Sequence, residues 1–144
     1  MSEKTDNIKA SFQPGSVHPD DEMIRILIVD DNKLFREGLK DLLQQEPDFI
    51  VAGGAENGEQ AIELAGKRSP DVIIMDINLG ETNGIDLTCQ VLSKYPHIKV
   101  VGFSMHDDRH IVDAMYRAGA VGYLSKYASS EEIFIAIRNC ISKK

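Results

Sequence analysis

The strongest constraint on the fold is an alternation of short apolar segments with segments of helical periodicity. Residues 26–29, 72–75 and 100–103 consist almost entirely of Ile, Leu, Val, Met and Phe. A strand that is apolar on both faces has to be covered on both sides, as parallel strands are when helices pack above and below them. The pattern therefore predicts an α/β fold built on a doubly wound parallel sheet.

The segments between the apolar runs carry signals that start and end helices. Three helical patterns end shortly before a proline, at Pro47, Pro70 and Pro96. Proline disfavours helical backbone in the residue before it. Gly119 ends a fourth helix as a left-handed cap, and Ser129 with Glu132 begins the last helix as a capping box. We predict five strands in the flavodoxin-like order 2-1-3-4-5, with the second strand at residues 49–52.

One domain accounts for most of the 144 residues, of which 42% are hydrophobic, enough for a single core. Residues 1–22 are polar, lack periodicity and contain Pro14, Gly15 and Pro19. This composition predicts a flexible N-terminal arm followed by one domain at residues 23–144.

The charge and hydropathy of the chain exclude two classes of partner. The net charge is −7, so the domain repels phosphate backbones, and we expect no direct binding to nucleic acid. No apolar run approaches the roughly 20 residues that a membrane span needs, and no signal peptide opens the chain. We therefore expect a cytoplasmic protein without a membrane partner.

Charged and hydroxyl side chains stand where the apolar runs end. Asp30 and Asp31 follow the first run, Asp76 follows the run at residues 72–75, and Ser104 and Lys126 follow two later ones. In an open parallel sheet, ligands bind in the crevice beyond the carboxyl ends of the strands. One crevice is therefore expected to receive three carboxylates, a hydroxyl and an ammonium.

This combination of groups predicts phosphoryl chemistry at a metal ion. An acidic residue before a helix is usually a cap, and loops after strands often hold aspartate, so neither aspartate segment is decisive alone. Together, however, clustered carboxylates resist ionisation unless a cation neutralises them. An all-oxygen set suits Mg²⁺, with Mn²⁺ as an alternative ion, and Mg²⁺ often bridges to phosphoryl groups. We predict phosphoryl transfer to a carboxylate.

The strings ILIVDD, VIIMDINLG, VVGFS and GYLSK resemble the receiver domain of two-component response regulators, from residue 24 to about residue 141. The phrase GAVGYLSKYAS resembles the NarL/LuxR-type branch of that family. The resemblance implies that Asp76 is the phosphoacceptor and that a histidine kinase is the donor. It also implies that Mg²⁺ is held by Asp31 and Asp76 directly, by Asp30 through water, and by the backbone carbonyl of Asn78.

The resemblance assigns the remaining site residues to binding and switching. Lys126 would bind the phosphoryl oxygens as a compact point charge, and Ser104 would donate a hydrogen bond to the phosphorylated form. Tyr123 would be the aromatic of a switch that remodels the surface around the last strand and its flanking helices. Packing in the core is the alternative for Tyr123, because an aromatic in a short strand is often a core residue.

The chain departs from the family pattern at four positions. Gly80 and Thr82 stand where a proline and a methionine are usual, Tyr127 stands where many receivers have proline, and Met105 replaces a small residue. Met105 is predicted to shield the phosphoryl group from water and so to slow dephosphorylation. Packing against the fourth helix is its alternative role.

Two other functions compete with a phosphorylated switch, which would be a signalling domain and not an enzyme. The first is a Mg²⁺-dependent phosphohydrolase with an aspartyl nucleophile, but such enzymes carry D-x-D where this chain has Asp30-Asp31-Asn32. The second is a flavin-binding module of flavodoxin type. Receivers of this branch usually precede a DNA-binding domain, so the chain is either part of a transcription regulator or a stand-alone receiver. Homodimerisation on phosphorylation is a further open possibility.

Overall fold

The computed structural model describes residues 23–105 and 108–142, and the predicted arm at residues 1–22 lies outside them. The strands are β1 (Ile24–Val29), β2 (Phe49–Ala55), β3 (Val72–Asp76), β4 (Asn78–Leu79), β5 (Thr82–Asn83), β6 (Lys99–Ser104) and β7 (Gly122–Ser125). The helices are α1 (Lys33–Leu43), α2 (Gly58–Arg68), α3 (Gly84–Lys94), α4 (Arg109–Arg117) and α5 (Ser130–Ser142).

The main sheet has the order β2-β1-β3-β6-β7, and every pair of neighbours in it is parallel. This confirms the predicted flavodoxin-like order 2-1-3-4-5, because β4 and β5 form a separate antiparallel hairpin. All five residues of β3 are buried, as a central strand covered on both faces requires.

Alternate residues of the strands point into two hydrophobic layers, one on each face of the sheet. Leu27, Ile73 and Val100 belong to one layer, which also takes Met115 from α4. Ile28, the next residue after Leu27 in β1, belongs to the opposite layer, which is closed by α1 and α5. Because the helices cover both faces, the polar groups of the site are left at one edge of the sheet.

The capping residues predicted from the sequence start their helices. Ser129 Oγ accepts a hydrogen bond from the Glu132 N–H at 3.1 Å, and the Glu132 carboxylate accepts one from the Ser129 N–H at 2.8 Å. This is the reciprocal capping box predicted for α5. Gly119 follows α4 with a φ of +114°, so the predicted left-handed end of that helix is also confirmed.

Two features of the sheet differ from the prediction. Strand β2 continues to Ala55 instead of ending at Ala52, because Gly53 and Gly54 pair with Leu27 and Ile28 after a register shift. Glycine has a low strand propensity, so the local sequence favoured a turn there. The β4–β5 hairpin was not predicted, since each of its strands has only two residues. Among the described residues, no helix is both long and apolar enough to cross a bilayer.

Candidate functional site

The polar residues predicted to share one crevice are brought together beyond the carboxyl ends of four strands. Asp30 follows β1, Asp76 ends β3, Ser104 ends β6, and Lys126 follows β7. Asp30, Asp76 and Ser104 are buried, although their side chains are polar. Buried polar groups are costly unless they are paired, so their convergence marks this edge of the sheet as a functional site.

Three carboxylates in this crevice form a cluster that suits a divalent cation. Asp30, Asp31 and Asp76 each offer one oxygen atom, and these three atoms lie within 4.8 Å of one another. Carboxylate oxygens are the ligands that Mg²⁺ takes in proteins, so these three residues would hold such an ion and be neutralised by it. Asp31 is exposed, which leaves one side of the cluster open to solvent.

The position of Asp30 is set by the first turn of α1. Its Oδ1 accepts a hydrogen bond from the Asn32 N–H at 2.8 Å, and its backbone carbonyl accepts one from Arg36 Nη1 at 2.7 Å. Asn32 is in turn the N-cap of α1, with its side chain accepting from the Phe35 N–H at 3.0 Å. The start of the helix therefore holds both the backbone and the carboxylate of Asp30 in place.

Asp76 is held by the segment that follows it. Its Oδ1 accepts a hydrogen bond from the Asn78 N–H at 3.1 Å. Gly84 begins α3 against the backbone of Asp76, and a Cβ at that position would overlap the Asp76 carbonyl oxygen. The absence of a side chain at Gly84 thus lets α3 approach the end of β3.

The carboxyl group of Asp76 has a pKa raised from 3.8 to about 6 in the absence of a metal ion. Burial is the largest cause, because it penalises the charged form, and the neighbouring charge of Asp30 adds to it. The charge of Lys126 and the N–H of Asn78 act in the opposite direction. A cation beside Asp76 would therefore favour the ionised carboxylate.

Lys126 supplies the positive charge of the crevice. Its Nζ lies 2.7 Å from Asp30 Oδ2 and 3.3 Å from Asp76 Oδ2, and its side chain is only 13% exposed. Burial alone would lower the pKa of Lys126, but the hydrogen bond to Asp30 and the charge of Asp76 outweigh it and raise the pKa above 10.5. The backbone N–H of Lys126 also donates to the Ser104 carbonyl at 2.8 Å, which ties β7 to the end of β6.

Comparison with known proteins decides the family. Residues 26–138 match the model of the response regulator receiver domain. The chain belongs to the response regulator receiver family. Its relatives include the transcriptional regulatory protein DegU of Brevibacillus brevis, which is 44% identical over 115 residues, covering 80% of this chain and 49% of DegU.

Solved receiver structures have the same fold. The signal receiver domain of NarL from Mycobacterium tuberculosis aligns with a TM-score of 0.80 and 32% identity, covering 85% of this chain and 99% of that chain. A response regulator from Burkholderia pseudomallei, determined with a phosphorylated aspartic acid, a calcium ion and citrate, aligns with a TM-score of 0.73 and 26% identity over 79% of this chain and 66% of that chain. These relatives confirm the NarL/LuxR-type receiver predicted from the sequence.

The receiver chain spans about half the length of the curated relatives that it matches. The family match gives no support to the alternative of an aspartyl phosphohydrolase. It identifies a signalling domain of two-component systems, a class of protein that works with histidine kinases.

The loop after Asp76 has a conformation that the family's usual proline could not adopt. Gly80 has a φ of +65°, whereas proline is held at about −65°. It is the first residue of the two-residue turn between β4 and β5, the place where a type II′ turn requires glycine. A Cβ on Gly80 would lie 3.7 Å from Asp31 Oδ2, so this turn borders the metal cluster.

The three remaining predicted residues lie in different settings. Met105, directly after Ser104, is 56% exposed, which does not fit a core methionine. Tyr123 is half-buried and packs against the core layer. It pairs with Gly102 of β6, and its ring lies so close that a Cβ on Gly102 would be 3.0 Å from Tyr123 Cδ1. Asn78 reaches the cluster through its N–H, as described, and the metal-binding role of its carbonyl stays a prediction.

Proposed function

We propose that this receiver domain accepts a phosphoryl group from a histidine kinase onto Asp76, with Mg²⁺ held by Asp30, Asp31 and Asp76. The main support is the cluster of three carboxylate oxygens that lie within 4.8 Å of one another. The ammonium of Lys126 contacts two of these carboxylates, Asp30 and Asp76. The phosphorylated aspartic acid and calcium ion described for the Burkholderia relative support the same chemistry here.

Transfer moves the phosphoryl group from nitrogen to oxygen. A bond forms between a carboxylate oxygen of Asp76 and phosphorus, while the P–N bond of the phosphohistidine breaks and its electron pair returns to the imidazole ring. The attacking carboxylate has to be ionised, and its pKa of about 6 leaves it mostly ionised at neutral pH. A bound Mg²⁺ would neutralise charge on the transferring oxygens.

Lys126 and Ser104 would recognise the phosphorylated form. The Lys126 ammonium is already 3.3 Å from Asp76 Oδ2, so the oxygens of a group on that carboxylate come within its reach. Ser104 is buried at the end of β6, the strand paired directly with β3. In this proposal its hydroxyl donates one hydrogen bond to a phosphoryl oxygen.

Tyr123 would transmit the change to the outer surface. It borders a surface cavity of about 300 Å³ that is also lined by Tyr116, Val121 and Cys140. In this proposal the ring takes two positions, one against the core and one toward the cavity. Movement of Ser104 toward the phosphoryl group would favour one of them, which shifts the population of surface conformations.

Phosphorylation of the wild-type chain by acetyl phosphate and Mg²⁺ tests the proposal. Intact-mass measurement should show one added phosphoryl group that is labile to base, and Asp76→Asn should abolish it. Asp71→Asn is the matched control, since Asp71 directly precedes β3 and so lies at the end of the strand opposite to Asp76. Its carboxylate accepts a hydrogen bond from the Arg25 N–H. Equal labelling of Asp76→Asn and wild type would show that another residue is the acceptor.

Phosphorylation of Asp76 would also have effects outside this domain. We propose that phosphorylation regulates transcription through a further domain, as the name of the DegU relative suggests. Homodimerisation on phosphorylation, a cytoplasmic location and the absence of enzymatic turnover on other substrates stay predictions from the sequence.

A further inference from the structure

An aromatic ring completes the surroundings of the Lys126 ammonium. Lys126 Nζ lies 4.5 Å from the centroid of the Phe35 ring, while Asp30 and Asp76 contact the same ammonium at 2.7 and 3.3 Å. The ammonium has three N–H donors, and the two carboxylates engage two of its sides. The ring of Phe35 covers a further one.

The Phe35 ring is placed by a second ring and by the start of α1. It packs against Phe103 with 5.5 Å between ring centroids, and Phe103 directly precedes Ser104 in β6. The backbone N–H of Phe35 donates a hydrogen bond to the side chain of Asn32, the N-cap residue. The N–H of Asn32 donates in turn to the Asp30 carboxylate. The turn that holds Asp30 therefore also places the Phe35 ring, whereas the lysine stem has four rotatable bonds.

We propose that Phe35 is a positioning residue for phosphoryl transfer, with its ring holding the Lys126 ammonium beside Asp76 through a cation–π contact. This inference rests on the proposed function of Asp76. During transfer, Lys126 exchanges a carboxylate contact for the phosphoryl oxygens and keeps its contact with the ring. A third carboxylate in place of the ring would compete with the phosphoryl group, because ion pairs in a poorly exposed site are strong, whereas a ring attracts the cation more weakly.

The test compares the initial rate of labelling by acetyl phosphate and Mg²⁺ among four proteins. Phe35→Leu keeps an apolar side chain but removes the ring, and should slow labelling about tenfold, a change that corresponds to about 1.4 kcal/mol and lies within the range of cation–π contacts. Phe35→Tyr keeps a ring and should label within about twofold of wild type.

Phe134→Leu is the matched control for loss of packing. Phe134 packs against the same hydrophobic layer, but its ring contacts Phe49 at the opposite end of the sheet, with 5.8 Å between centroids. Phe134→Leu should lower the melting temperature, as Phe35→Leu does, but should not slow labelling. In NMR spectra of the wild type, the ε-methylene protons of Lys126 should be shifted upfield by the ring current, and Phe35→Leu should abolish that shift.

Each outcome decides the inference. The inference is overturned if Phe35→Leu labels as fast as wild type, or if Phe35→Tyr labels as slowly as Phe35→Leu. It is also overturned if Phe134→Leu slows labelling equally, or if the Lys126 resonance is unshifted in the wild type. If wild type labels at Asp76 and only the Phe35 comparison fails, the positioning role is wrong and the proposed function stands. A wild-type protein that takes up no phosphoryl group overturns both.

Discussion

At the scale of single residues, Asp76 combines burial with a neighbouring negative charge. The residue is 4% exposed, and Asp30 lies in the same cluster. An acid in this setting costs folding free energy whenever it is ionised without a counterion. In the proposed phosphoacceptor site, the charge that destabilises the metal-free fold would also attract the metal ion.

Ionisation of Asp76 should make the free energy of unfolding of the metal-free protein depend on pH. The folded pKa of about 6 lies above the unfolded value of 3.8, so the folded state binds the proton more tightly and stability falls as pH rises through this window. Asp76→Asn cannot ionise. In EDTA it should match wild type below pH 3.8 and exceed it above pH 6, by up to roughly 3 kcal/mol.

Urea unfolding of both proteins from pH 3.5 to 8 measures this difference. Added Mg²⁺ should narrow it, because the ion neutralises the wild-type carboxylate. A difference that stays constant with pH would mean that the amide introduced by Asp76→Asn acts through packing and not through charge.

Met105 is the other residue whose environment leads to a prediction. Its side chain is 56% exposed beside Ser104, so it is free to cover the approach of water to a phosphorylated Asp76. Met105→Ala should shorten the lifetime of the phosphorylated form about tenfold, equivalent to about 1.4 kcal/mol in the barrier. Met105→Leu should keep most of the lifetime.

The measurement is the decay of intact phosphorylated protein after removal of the donor, at matched Mg²⁺. An equal or longer lifetime for Met105→Ala would exclude shielding by this side chain. Because Met105 is exposed, none of the three proteins should differ much in melting temperature.

At the scale of secondary-structure elements, α5 is attached to the start of β2 by one arginine. Arg138 contacts Asp48 through two hydrogen bonds of 2.9 and 2.6 Å, and Glu46 through one of 2.7 Å. Its guanidinium also lies 4.7 Å from the centroid of the Phe49 ring. A fork of donors and a planar face allow arginine to make all of these contacts at once.

Arg138→Met should destabilise the fold by roughly 1 kcal/mol, a modest effect because 38% of the Arg138 side chain is exposed to water. The Arg138 hydrogen bond lowers the pKa of Asp48 below 3.8. The contribution of the pair is therefore present above pH 3.8 and should be lost as pH falls through the lowered pKa.

Lys67→Met is the matched control for this prediction. Lys67 pairs with Glu63 at 2.8 Å along α2, but the two side chains are 67% and 56% exposed. Its loss should change stability by less than about 0.5 kcal/mol. Thermal unfolding should show a greater loss of stability for Arg138→Met than for Lys67→Met at pH 7, and this gap between the two variants should be smaller at pH 3. An equal gap at both pH values would contradict the assignment.

At the scale of the whole molecule, metal binding should be coupled to folding. The three carboxylates come from two segments 45 residues apart in the chain, joined only in the folded state. An ion that binds the folded state alone stabilises it by about 2.7 kcal/mol at a hundredfold excess over its Kd. Mg²⁺ should therefore raise the melting temperature in the absence of any phosphodonor.

Asp31→Ala should remove most of that thermal shift, because Asp31 is the exposed member of the cluster and its loss leaves the core intact. Asp41→Ala is the control, since Asp41 is an exposed aspartate of α1 outside the cluster. A full Mg²⁺ shift in Asp31→Ala would place the ion elsewhere.

Sequence patterns alone determined the strand order, the helix ends and the residues at the carboxyl ends of the strands. Apolar runs and caps are local signals, and the topology of a parallel sheet then places Asp30, Asp76 and Lys126 at one edge without further information. The identity of the groups that meet there also followed, because each of them stands directly after an apolar run or close to its end.

Tertiary structure alone decided the contacts between segments that are distant in sequence. The ring of Phe35 beside Lys126, the attachment of Arg138 to Asp48, and the turn that places Gly80 beside Asp31 leave no local signal. Phe35 carried only the periodicity of a core residue, and the glycine pair of β2 favoured a turn locally although pairing with β1 extends the strand through it. In each case the contact depends on a neighbour that the local sequence does not specify, and in β2 it also overrides the local preference.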